Sequence, residues 1–125
     1  MREIMFRGKM DNGEWIYGSF CMDALEQFNG LCGVDGFIRL YDKAKGKMQT
    51  YEVDRETVGQ YTGLKDKNGN RIFDGDILSI WNESHDVVVF EDGAFYLENT
   101  SIPMRFANKF DVIGNITDNP ELLEK

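Results

Sequence analysis

Asp74, Asp76 and His85 are the residues of this chain whose types and spacing could do chemistry: two carboxylates one residue apart, and the only imidazole among 125 residues. Gathered in one cleft they could hold a divalent cation or move protons, since carboxylates are hard oxygen ligands and a buried one becomes a better base. Their sequence context argues otherwise. Asp74-Gly75-Asp76 stands directly before the apolar run Ile77-Leu78-Ser79-Ile80-Trp81, where Asp and Gly are the usual residues of a turn entering a strand. Asp66, Asn68 and Asn70 occupy positions 1, 3 and 5 of a calcium loop, but Arg71 and Ile77 fill the sixth and twelfth positions, which need Gly and Glu. We reject calcium there. Cys21, Cys32 and His85 leave a structural zinc one ligand short, and no local motif joins either thiol to the imidazole as a nucleophilic dyad. The expectation is two reduced thiols, no metal, no cofactor and no enzymatic activity.

A second chemistry belongs to Lys43, Lys45 and Lys47, clustered in a short turn after Tyr41. Cations of this kind beside aromatics such as Tyr17, Phe37, Tyr41 or Tyr51 could contact phosphates while bases stack on the rings. The overall field opposes it. Net charge is −8, with −2 on residues 1–60 and −6 on residues 61–125, whereas nucleic-acid binding ordinarily leaves a basic footprint. An acidic surface suits a protein partner, or mimicry of nucleic acid, better than nucleic-acid readout.

The elements that must position these residues read as short strands. Arg2–Lys9 and Glu14–Phe20 flank Asp11-Asn12-Gly13 as a first hairpin, with Trp15 and Tyr17 on one face and Ile16 and Phe20 on the other. Apolar residues on both faces predict that both are covered. Residues 21–36 lose the pattern, apart from a helical turn over 24–28 capped by Asp23. Phe37–Asp42 and Met48–Val53 form a second hairpin around Gly46, followed by a polar corner at 54–57 and a short strand at 58–62. Asp66-Lys67-Asn68-Gly69 is a tight turn whose arms are Gly63-Leu64 and Arg71-Ile72-Phe73.

Further strands are predicted near 77–81, 87–91, 94–98 and 111–117, with Asp92-Gly93 as a hairpin turn, Val87–Phe90 as the most buried run and Gly114 as a bulge or close approach. One helical turn belongs to the Pro103 connection, and Leu122 and Leu123 pin the tail to the core. The fold class is therefore mostly β: a small, SH3-like, partly open β-barrel with an additional N-terminal β-hairpin lobe. The lobe covers about 1–60 and the SH3-like barrel about 61–119 of a single domain. No apolar run approaches the about 20 residues that span a bilayer, and MREIMFRGKM has no signal-peptide pattern; a soluble, cytoplasmic protein is expected.

Val53-Asp54, Glu56 to Leu64 (ETVGQYTGL), Asp66-Lys67-Asn68-Gly69, Ile72-Phe73, Gly75-Asp76-Ile77 and Val112 to Ile116 (VIGNI) with Asn119-Pro120-Glu121-Leu122 resemble the YopX family of phage and prophage proteins. Phe6-Arg7-Gly8-Lys9 and Gly13 to Gly18 (GEWIYG) resemble it too. Arg55 stands where the family often has proline, and Asp74 where it has Glu. The resemblance implies an SH3-like, β-rich fold carried by mobile elements, and transfers no catalytic or ligand residues. The acidic charge, the barrel-like pattern and the absence of a catalytic constellation set the expectation of a small interaction module whose partner is a host or phage protein, with self-association next, nucleic acid less favoured and no membrane. The candidate interaction surface is Tyr41, Lys43, Lys45, Lys47, Asp74 and Asp76.

Overall fold

A computed structural model describes residues 4–22, 36–81, 84–100 and 102–123. The predicted helical turn over 24–28 and Cys32 lie outside the described residues. The chain divides into two compact units, Glu3–Gln60 and a second from Tyr61 onward.

In the first unit, β1 (Phe6–Lys9), β2 (Trp15–Met22), β3 (Gly36–Asp42) and the first part of β4 (Lys47–Lys65) pair antiparallel in sequence order. β1 also pairs with β4 beyond the stretch used by β3, at Phe6↔Gln60 and Lys9↔Asp54. Ile38 and Val53, one from each arm of the second hairpin, are buried at the centre of this unit. Gly18 sits where a Cβ would lie 2.2 Å from the Arg39 carbonyl oxygen, so a side chain there is excluded by backbone.

The polar corner and separate strand predicted over 54–62 are instead part of the continuous, 19-residue β4. The turn chemistry was read correctly but its scale was not. The Asp54 carboxylate accepts from Glu56 N, and the Thr57 hydroxyl donates to Asp54 O at 2.6 Å while accepting from Lys9 N. The result is a bulge, between Arg7↔Gly59 and Lys9↔Asp54, in which side chains satisfy the local backbone groups and the strand goes on.

In the second unit, the end of β4 pairs with β5 (Arg71–Phe73) at Tyr61↔Phe73 and Lys65↔Arg71. β6 (Asp76–Ile80), β7 (Ser84–Glu91), β8 (Ala94–Leu97) and β9 (Asp111–Asn115) form a sheet in the order β8-β7-β6-β9. Its core joins Ile72, Leu78, Ile80, Val88 and Leu97 to Ala107 and Phe110 around a 3-10 helix, Met104–Lys109. Ile113 is the extra residue of a bulge, because Ile77 pairs with Gly114 while Leu78 pairs with Val112. A Cβ on Gly114 would meet Asn119 Oδ1 at 2.5 Å, so the bulge falls one residue before this glycine and the close approach is to a side chain rather than to backbone.

The architecture is mostly β, as the turn spacing predicts, and the sheets do not form a closed barrel. Two local expectations fail. Tyr17 is exposed, and the run Val87–Phe90 is buried only at its start, with Phe90 46% exposed. Strand alternation puts Phe90 on the face opposite Val87 and Val89, close to the hairpin end where the sheet runs out into solvent.

Candidate functional site

Tyr41 and the three lysines lie together at the end of the β3–β4 hairpin. Asp42 builds that end: its carboxylate Oδ1 accepts from Ala44 N at 2.9 Å and Lys45 N at 3.2 Å, and its carbonyl accepts from Gly46 N at 2.8 Å. Gly46 takes φ +67, which favours glycine. Lys43, Lys45 and Lys47 are all exposed.

Alternation then sorts the hairpin into two faces. Ile38, Leu40 and Tyr51 point one way, and Arg39, Tyr41, Met48 and Thr50 the other, through the pairs Arg39↔Thr50 and Tyr41↔Met48. Ser19↔Arg39 extends the second face to Tyr17 on β2. Every residue of that row is exposed, including the apolar surfaces of Tyr41 (57%), Met48 (47%) and Tyr17 (45%). Phe37 and Tyr51, the other aromatics named from sequence, are half-buried. Trp15 is half-buried as well, with the Arg7 guanidinium 4.9 Å and the Lys9 ammonium 5.9 Å from its ring centre; the covered reading holds for Trp15 and fails for Tyr17.

Asp74 and Asp76 belong to the other unit and to a different role. Asp76 is 1% exposed, and its Oδ2 accepts from Phe73 N at 2.7 Å across the β5–β6 turn. This corrects its placement on an interaction surface: its carboxylate caps the turn from inside. Asp74 is half-buried beside it. His85 pairs with Ser79, so it stands on the face of β6 opposite Asp76 and three positions along. Its Nδ1 lies 2.9 Å from Leu122 O, an attachment for the tail made by the imidazole and a carbonyl. Asp74, Asp76 and His85 thus share no ligand position. Among the described residues no group of three or more His, Cys, Asp or Glu could hold a metal ion, and the Cys21 side chain and Cys32 fall outside them.

Two further carboxylates are structural, and only one stood out in the sequence. Asp66, 4% exposed, accepts from Asn68 N, Asn70 N and the Asn70 side-chain amide, and from Val112 N on β9 at 2.9 Å. Burial pushes its pKa up, but the backbone amides of Val112, Asn70 and Asn68 outweigh burial and hold it below the usual carboxylate value. Asp86, fully buried, accepts from Val87 N and from both amide groups of Asn99. No sequence motif marks that pair.

A second exposed hairpin end is absent from the sequence-derived site. Around Asp92-Gly93, the Tyr96 hydroxyl donates to Glu91 Oε2, and that bond, with burial and the charges of Glu91, Asp92 and Glu98, pushes the phenol up to about 12. Phe90 and Phe95 pack with their rings tilted by 52° and 4.7 Å between ring centres. The alternation of the sequence around Asp92-Gly93 places these residues on a strand, but not in solvent.

These features define a small all-β protein whose buried carboxylates organise turns and whose exposed features include two hairpin ends. The YopX protein family model matches residues 2–124, and the chain belongs to that family. It is similar to the crystal structure of protein EF1440 from Enterococcus faecalis, at 25% identity and a TM-score of 0.61, over 99% of this chain and 100% of that one. No curated protein matches it.

Proposed function

We propose that this chain is a small, non-catalytic protein-interaction module of phage or prophage origin, acting in the cytoplasm of a bacterial host. The observation that carries the reading is the exposed row Tyr17, Arg39, Tyr41 and Met48 on one sheet face of the first unit. Tyr, Arg and Met are the residue types enriched where proteins bind one another, and desolvating two aromatic rings supplies affinity at little conformational cost. Origin and compartment in this reading rest on the family likeness and on a sequence with no long apolar run. The test is capture from host lysate, with and without nuclease, by tagged wild type and by the Tyr41→Ala/Met48→Ala variant. A protein held in stoichiometric amount after nuclease, and retained at least about tenfold less by the variant, is the expected outcome. Equal capture by both forms would sink the reading.

A second reading, a nucleic-acid accessory factor, is favoured by the exposed Tyr41 ring on the same hairpin end as three exposed lysines. Nucleic acid captured alone, and released by moderate salt, would put it first.

A further inference from the structure

The two exposed hairpin ends are opposite in charge, and each exposes apolar surface beside its charges. Residues 39–48 carry Arg39, Lys43, Lys45 and Lys47 against one acid, Asp42, whose carboxylate is turned onto its own backbone. Residues 87–100 carry Glu91, Asp92 and Glu98 and no Lys or Arg at all. Each end also has exposed apolar surface: Tyr41 and Met48 share one face of the first, and on the second Tyr96 stands on the Glu91 face while Phe90 stands on the other. Arg39, the three lysines, Glu91, Asp92 and Glu98 are all exposed.

We propose that the exposed face at the end of the β3–β4 hairpin binds the β7–β8 hairpin end of a second copy of this chain. The proposal rests on the reading of that face as a protein-binding surface and names its partner. Charge selects the contact and apolar burial holds it. Exposed lysine–carboxylate pairs contribute little by themselves, but they orient two surfaces and reject like-charged ones. Packing Tyr96, on the same face as Glu91, against Tyr41 and Met48 removes three side chains from water. The net charge of −8 on each copy does not forbid this. At about 0.1 M salt the screening length is about 10 Å, shorter than the protein, so the touching residues dominate. Because the two surfaces differ, each copy that uses one retains the other. Association is head-to-tail, continuing as a chain or closing as a ring.

Sedimentation velocity on the full chain, from low micromolar to several hundred micromolar, tests this. The average mass should climb with concentration and fall back at about 1 M salt, where the screening length is about 3 Å. Two variants, Lys43→Glu/Lys45→Glu/Lys47→Glu and Glu91→Lys/Asp92→Lys/Glu98→Lys, alter exposed positions only, and circular dichroism checks that both fold. Each alone should stay monomeric where wild type associates. An equimolar mixture should associate again, because an intact basic end then meets an intact acidic one.

Wild type that is monomeric throughout, or association that persists in either variant alone, overturns the proposal. A monomer that still captures a nuclease-resistant host protein through Tyr41 and Met48 overturns this inference and leaves the interaction reading standing. A monomer that binds a fluorescent oligothymidylate through its lysines overturns both.

Discussion

Asp66 shows how one carboxylate can govern a turn and a distant strand together. Its neighbours Lys67, Asn68 and Gly69 announce the turn in the sequence, and the turn forms as predicted, with Gly69 N donating to Asp66 O. The bond to Val112, 46 residues away, was not legible: nothing in a sequence records which far amide will lack a partner once the strands have paired. Replacing Asp66 by Ala removes the shared acceptor of three part-buried backbone amides and should lower the unfolding free energy by about 2 kcal/mol in urea titrations at neutral pH. The pH dependence has a definite sign. A folded-state pKa below the ordinary value means the stabilisation is complete above about pH 4 and is lost as pH falls through the folded value. Wild type and variant should therefore converge in stability on the acid side, and an unchanged gap at low pH would contradict this account. Asp76 illustrates the opposite failure of legibility. Its residue type and turn position were plain, but inward or outward was decided by the amide of Phe73.

Strands were readable wherever alternation and a Gly-containing turn agreed, as in the second hairpin and the one around Asp92-Gly93. They were misread where polar side chains replaced backbone partners, as at Asp54 and Thr57, because a bulge and a true corner have the same composition. Faces were harder still. Tyr17 and Trp15 share one face of β2, yet Trp15 is half-buried with the cations of Arg7 and Lys9 over its ring, whereas Tyr17 is exposed. Close approach between elements was also invisible from residue type, and Gly18 is the sharpest case. A methyl group there would be driven into the Arg39 carbonyl, so Gly18→Ala should cost about 3 kcal/mol, read as a lower urea midpoint. A variant as stable as wild type would mean that β2 and β3 can separate without loss.

At the scale of the whole molecule, mostly-β character was legible from turn signals alone, while the assignment to the YopX family needed motifs spread from end to end. Charge acts at this scale as well. With a sequence pI near 4.6, self-repulsion vanishes in mild acid, yet Asp66, held below its usual pKa, is still ionised there. The protein should therefore come out of solution near pH 4.6 in its folded state, with turbidity at a maximum and the near-ultraviolet dichroism of the redissolved material unchanged. Loss of that signal before turbidity appears would show that unfolding comes first.

The Asn68-Gly69 turn has a consequence measured in time rather than energy. Asn followed by Gly is the dipeptide in which the next backbone nitrogen most readily attacks the side-chain amide carbon, closing a succinimide with loss of ammonia, which water then opens to aspartate or isoaspartate. In this turn Gly69 N is occupied by Asp66 O, and the Asn68 side-chain amide is held by Asp111 Oδ1 at 2.8 Å. Ageing at this position therefore waits on local opening of the turn. Once it happens it sets a new carboxylate against Asp111, so the bond that keeps the turn young becomes a repulsion that keeps it open.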